Sequence, residues 1–209
     1  MTRTLVCVFA ALALAGCASK GTNTGAVQAD LPVDKGTVAT GAGSSVKMKG
    51  NPLPLSGRAI AVGEKLPDAM VTGADLKPVN LGEGSGKVRI ISVVPSVDTK
   101  TCEKQTHELS EDNGGLDKQV EMITVSMDLP FAQSRFAKEA KIANVTFLSD
   151  YKAREFGENH GLLIEPLGLL ARAVIVTDRD NVVRYIQVVP EVTALPDMQA
   201  AMKAAKGLL

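Results

Sequence analysis

Apolar positions in this chain fall into short runs that change in character from strand to helix and back. Val88-Arg-Ile-Ile-Ser-Val-Val94 is dominated by β-branched residues and is stopped by Pro95, which suits a buried central strand. The stretch Pro95-Ser-Val-Asp-Thr-Lys-Thr-Cys102 follows as a loop and delivers a cysteine where a helix begins. After Cys102, Glu-Lys-Gln-Thr-His-Glu-Leu favours a helix to about Asp112, and Asn113-Gly-Gly115 stops it. Val120 to Val125 reads as a second strand. Pro130 suits a first helical position, with Phe131 to Lys141 continuing the helix, and Val145 to Leu148 reads as a third strand. Asp150 is predicted to cap a helix that reaches His160 and closes at Gly161. Ala171–Thr177 and Val182–Val188 are separated by Asp178-Arg-Asp-Asn181, an antiparallel hairpin signal. From Asp197 to Lys206, Met198, Ala201, Met202 and Ala205 recur at helical spacing and predict a core-facing final helix. Upstream, Val46 to Leu55 alternates and breaks at Gly50-Asn51, a hairpin pattern. Met70-Val71 and Pro78 to Leu81 predict two short strands around Gly73-Ala-Asp75.

Strand-helix-strand-helix-strand, then a hairpin and a last helix, predicts an α/β chain with a central mixed β-sheet flanked by helices. That order is the one of a thioredoxin-like fold, here with an added N-terminal β-hairpin and an inserted helix. In this arrangement the loop after the first core strand carries the chemistry. A cysteine there sits among unpaired N–H groups of a helix N-terminus, which favour a thiolate.

The folded domain is expected over residues 46–209. Before it, residues 18 to about 45 are rich in Gly, Ala, Thr and Ser without apolar periodicity, as in a flexible tether. Arg3 and the apolar segment Leu5–Leu14 have the form of a secretory signal, too short to span a bilayer. The segment ends in Leu14-Ala-Gly-Cys17, which resembles the lipobox of bacterial lipoproteins. The resemblance implies cleavage after residue 16 and lipidation of Cys17, a membrane anchor through acyl chains. Ala18-Ser19 lacks the aspartate associated with inner-membrane retention, so the expected location is the bacterial cell envelope, at the outer membrane facing the periplasm.

Composition narrows the function. The 209 residues are 45% apolar with a formal net charge of zero, and aromatics are only 3%. A sizeable core is possible, while a basic surface or stacking platform for nucleic acid is not. Three cysteines occur in the chain: Cys7 leaves with the signal and the sulfur of Cys17 is taken by lipid. Cys102 is then the one free thiol of the mature chain. His107 and His160 read as surface residues. Neither they nor the cysteines have the spacing of a metal site, and no cofactor is expected. Lys100 and Lys104 flank the thiol, but solvated lysines are the default reading. A lone cysteine after a strand is by itself more often inert core than a nucleophile.

The joint pattern changes that reading. Pro95-x-x-x-Thr99-x-x-Cys102 is similar to the peroxiredoxin active-site motif. Asp128-Leu-Pro-Phe-Ala-Gln-Ser-Arg-Phe136, Leu170-Ala-Arg-Ala-Val174 and Gly50-Asn-Pro52 resemble the thiol peroxidase branch of that family, from about residue 46 to the C-terminus. The resemblance implies that Cys102 attacks peroxide and becomes a sulfenic acid. It implies that Thr99 hydrogen-bonds the sulfur and the peroxide oxygen, that Arg172 supplies charge and donors to both, and that Pro95 shelters the sulfur from water. It also implies a homodimer. A free cysteine with pKa ~8.5 is about 3% thiolate at pH 7, so full ionisation gains only ~30-fold. Enzymes typically accelerate by ~10⁶-fold or more, so donors aimed at the leaving oxygen must supply the larger part.

Many members of the branch carry a second, resolving cysteine directly after the Ser-Arg-Phe stretch. Here that position is Ala137. Three fates remain open for the sulfenic acid: an external small thiol or thioredoxin-like reductant, a disulfide to a partner protein, or a Cys102–Cys102 link. The expected function is a one-cysteine, thiol-dependent peroxidase acting on hydrogen peroxide and organic hydroperoxides. The alternative is a redox-sensing or binding lipoprotein that keeps the fold without the turnover.

Overall fold

The computed structural model describes Met1 and residues 31–209, so the expected signal, Cys17 and the start of the tether lie outside the described residues. Eleven strands and four α-helices follow in order: β1 (Ser45–Met48), β2 (Asn51–Ser56), β3 (Met70–Thr72), β4 (Pro78–Asn80), β5 (Val88–Val93), α1 (Lys100–Glu111), β6 (Val120–Ser126), α2 (Pro130–Glu139), β7 (Thr146–Ser149), α3 (Glu155–Asn159), β8 (Leu163–Ile164), β9 (Leu169–Leu170), β10 (Ala173–Thr177), β11 (Val183–Val188) and α4 (Met198–Lys206). Among the described residues no helix is long and apolar enough to cross a membrane.

Seven strands form one mixed sheet in the order β11-β10-β5-β6-β7-β3-β4. The β5–β6 and β6–β7 pairs are parallel, and β10 lies antiparallel to β5. All six residues of β5 are buried, as expected of a strand covered on both faces. Its side chains alternate between two cores. Val88 and Ile90 join Leu109 of α1, Phe136 of α2 and Met198 and Met202 of α4 on one face. Ile91 and Val93 join Phe156 of α3 with Val46, Leu55, Ile164 and Leu170 on the other. The sheet is thus flanked on both faces, but the second face is covered mainly by a small antiparallel sheet, β1-β2-β8-β9. The two-residue strands β8 and β9 were too short to leave a period in the sequence. The β1–β2 hairpin turns through Lys49 (φ 52°) and Gly50 (φ 81°), the left-handed pair that a tight hairpin requires.

Three expectations need correction. Residues 31–44, predicted as tether, are strapped to the domain. Leu195 N–H donates to the Pro32 carbonyl at 2.8 Å, Val38 N–H to Val188 at 3.0 Å, and the Gln187 amide to Asp34 and Gly36 carbonyls at 2.7 and 2.9 Å. The strap covers β11, an edge strand of the large sheet. Apart from the Gln187 side-chain amide, these bonds use backbone groups, which any sequence supplies, so no side-chain period announces them. Secondly, the helix predicted from Asp150 is only the short α3, entered through Arg154 in the left-handed region (φ 58°). Asp150 still serves it from a distance, accepting from the N–H groups of Phe156 (3.0 Å) and Gly157 (2.8 Å). Thirdly, His160 is fully buried rather than at the surface, stacked on Phe156 with ring centroids 4.3 Å apart. Its Nδ1–H donates to the Phe156 carbonyl at 2.8 Å and its Nε2 has no partner. Burial pushes His160 down to about 4 and Asp150 up to about 6.

Candidate active site

The site is assembled where β5 ends. Val94 extends the strand pairing by donating to the Val125 carbonyl at 3.0 Å, and the buried Pro95 then ends the ladder. The loop after it is held by one carboxylate. Asp128 accepts from Ser96 Oγ (2.8 Å), Val97 N–H (2.8 Å) and Ser126 Oγ (2.7 Å). Arg135 adds an exposed contact to Asp98 at 3.3 Å. Both Asp128 and Arg135 belong to the nine-residue stretch singled out in the sequence, and through them that stretch holds the loop that carries the cysteine.

Thr99 caps α1, in extended conformation (φ −113°, ψ 143°), and its Oγ1 accepts from the Cys102 N–H at 3.4 Å. The helix therefore starts before Cys102, at Lys100, and places the thiol in its first turn. The same Thr99 hydroxyl donates to Cys102 Sγ at 2.9 Å. Cys102 is fully buried while Thr99 beside it is exposed, so the sulfur lies directly beneath the capping residue.

Arg172 arrives from the turn between β9 and β10 and is 2% exposed. Its three edges have different partners. Nε–H donates to the Val192 carbonyl at 2.8 Å, Nη1 to Gln105 Oε1 at 2.7 Å, and Nη2 to Cys102 Sγ at 3.4 Å. No carboxylate among the described residues lies within ion-pair distance of it. The one ionisable group among its hydrogen-bond partners is Cys102. A buried guanidinium without a counter-charge is costly, which makes this an unusual arrangement for a structural arginine.

The structure thus brings Pro95, Thr99, Cys102 and Arg172 together. Lys104 turns away to Glu108 at 3.7 Å, Lys100 is exposed, and His107 pairs with Glu111 at 2.6 Å. Gln105 was missed. It is fully buried, holds Arg172 by its Oε1, and is itself fixed by Nε2 donation to Ser92 Oγ at 2.8 Å. Its position three residues after Cys102, on the same helical face, was the available signal. Ala137 packs half-buried against the helix-side core, and Cys102 is the one free cysteine among the described residues.

Comparison with known proteins agrees with this geometry. The Redoxin family model matches residues 61–202. A thiol peroxidase of Halalkalibacterium halodurans is 46% identical over 79% of this chain and 99% of its own length. The chain belongs to the Redoxin family, in the thiol peroxidase branch of the peroxiredoxins. A Streptococcus pneumoniae thiol peroxidase is 44% identical over 78% of this chain and 99% of its own. Among solved structures, a peroxiredoxin-like protein of Aquifex aeolicus superposes with a TM-score of 0.74 at 40% identity, covering 79% of this chain and 97% of that one. The chain has the thioredoxin-like fold expected from the order of its elements.

Proposed function

We propose that this peroxiredoxin reduces hydrogen peroxide and organic hydroperoxides at Cys102 and is returned to the thiol by an external reductant. The observation that carries the reading is the pair of donors on one buried sulfur, Thr99 Oγ1 at 2.9 Å and Arg172 Nη2 at 3.4 Å. The thiolate sulfur attacks the terminal peroxide oxygen. An S–O bond forms, the O–O bond breaks, and its electron pair leaves on the second oxygen, which takes a proton to give water or an alcohol. Cys102 is oxidised by two electrons to the sulfenic acid. Thr99 and Arg172 stay within reach of the oxygens on which charge develops, the role for which preorganised donors are most effective. Pro95 keeps water from the sulfur.

Ala137 stands where many relatives resolve the sulfenic acid internally, so the second half of the cycle is external. A thiol attacks the sulfenic sulfur, water leaves, and a second thiol frees Cys102 from the mixed disulfide. Peroxide consumption is expected with at least one of glutathione, dithiothreitol or a thioredoxin-like protein, and is expected to vanish in Cys102→Ser. Absence of turnover with every reductant, together with no dimedone-trapped sulfenic acid, would favour the redox-sensing or binding alternative. An internal disulfide by mass spectrometry would rule out the one-cysteine cycle.

The Leu14-Ala-Gly-Cys17 motif supports attachment to the envelope by lipid on Cys17, and the family supports a homodimer. Labelling of cells with an alkynyl fatty acid is expected to mark the protein and to leave Cys17→Ser unmarked; labelling that survives the substitution would disprove the anchor.

A further inference from the structure

The Val192 carbonyl that holds Arg172 belongs to a turn, Pro190–Val192, with no regular structure of its own, and Glu191 at its centre is not idle. The Glu191 carboxylate accepts from Lys49 N–H (2.9 Å) and Gly50 N–H (3.0 Å), the left-handed pair at the tip of the β1–β2 hairpin. Successive N–H groups in such a turn converge into a concavity that fits an anion. The same carboxylate accepts from Thr193 Oγ1 at 2.8 Å and Thr193 N–H at 3.3 Å. On either side of it the backbone is stitched to β1: Lys47 N–H donates to Pro190 at 2.7 Å, and Val192 N–H donates to Lys47 at 2.9 Å. Burial pulls the Glu191 carboxyl upward, but the N–H groups of Gly50 and Lys49 and the Thr193 contacts outweigh it and hold the group below the usual carboxylate range.

We propose that Glu191 is a positioning residue for Arg172: seated in the hairpin tip, it fixes the turn so that the Val192 carbonyl takes the arginine's Nε–H and Nη2 is presented to Cys102 Sγ. The N-terminal hairpin, an addition to the minimal fold, thereby becomes part of the arginine's support. Gln105 fixes Nη1 from α1, so the guanidinium is held from two independent elements and its third edge faces the sulfur. Loss of one support lets a long side chain swing by a fraction of an ångström to an ångström, a displacement large enough to weaken reaction strongly.

This inference rests on the peroxide-reducing role of Arg172, and the test separates the two. Glu191→Ala and Glu191→Gln are compared with wild type in the mature full-length protein. Two second-order rate constants of Cys102 are measured by quenched flow and mass spectrometry, since the chain has no tryptophan to report by fluorescence. Hydrogen peroxide requires donors to the leaving oxygen, whereas iodoacetamide requires only a nucleophilic sulfur. Glu191→Ala is expected to lower the peroxide constant by about tenfold or more while alkylation stays within about threefold. Glu191→Gln keeps one acceptor oxygen and is expected to lie between. A purely structural role would leave the ratio of the two constants unchanged, and a wild-type ratio in either folded variant overturns the inference. Should Glu191→Ala not fold, the glutamine variant decides by the same ratio. If wild-type Cys102 reacts with peroxide no faster than a free thiol, the proposed function itself fails; if only the Glu191 variants behave as wild type, this inference alone fails.

Discussion

Two arginines are buried against the same pair of strands, one at each end, and they do different things. Arg89 lies in β5 opposite Thr177, the last residue of β10, while Arg172 immediately precedes the first residue of β10, opposite Val93. Their exposures are nearly equal, 3% and 2%, and neither has a carboxylate within ion-pair distance among the described residues. Arg89 donates to the Leu81 carbonyl (2.9 Å), to Asn181 Oδ1 and to Thr177 Oγ1 (3.4 Å), all neutral acceptors. It ties the turn after β4 to the turn between β10 and β11. Burial draws it below the usual guanidinium range, with the charge of Glu121 acting against that. Arg172 uses two edges the same way and turns the third to a nucleophilic atom. Burial and missing counter-charge therefore do not by themselves mark a functional arginine. An ionisable, reactive partner does.

Methionine substitutions separate the two roles. Arg172→Met is expected to lower the peroxide rate constant by about 100-fold or more, and to do so even at high pH where the thiol is ionised, because the lost donor acts on the leaving oxygen. The fold should survive at a cost of about 1–3 kcal/mol, through the Val192 and Gln105 acceptors left without donors. Arg89→Met is expected to leave the peroxide constant within about twofold but to cost about 1–3 kcal/mol of stability in urea unfolding, through the acceptors left without donors. Wild-type peroxide rates in Arg172→Met at high pH would break the comparison, as would a large rate loss in a folded Arg89→Met.

A smaller effect concerns two buried groups of opposite sign, neither in contact with the sulfur. Asp150, raised to about 6, contributes stability that is fully present below its unfolded value near 3.8 and is lost as pH rises through 6. His160, lowered to about 4, contributes stability present above its unfolded value near 6.5 and lost as pH falls through 4. Between pH 4 and 6 the two slopes oppose and nearly cancel. Asp150→Asn is therefore expected to lose roughly 2 kcal/mol more than wild type on going from pH 7 to 4.5, as His160 titrates without compensation. Thermal unfolding against pH checks this; parallel curves for the two proteins would contradict it.

Much of this was legible beforehand. The β-branched run at Val88–Val94, the Pro95 stop, the helix opening around Cys102 and the 171–188 hairpin signal follow from local chemistry and stand in the structure, whereas the capping role of Thr99 emerged only from the fold. Arg172 was reached through the resemblance of Leu170-Ala-Arg-Ala-Val174, because nothing local in a strand-edge arginine points to a thiol seventy positions away. The strap over β11 and the burial of His160 left no trace, since they depend on backbone carbonyls and on which face another element covers.

Gln105 and Glu191 mark the boundary most clearly. Local sequence determined that a cysteine would open a helix behind a buried strand, because strand and cap preferences act within a few residues. Only the tertiary structure decided what would stand on that sulfur. The guanidinium's direction is set by Gln105 from a helix and Val192 from a turn that Glu191 pins to an N-terminal hairpin, contacts that span 67, 20 and more than 140 positions. Chain folding brings such groups within 3 Å, and no local preference encodes that distance.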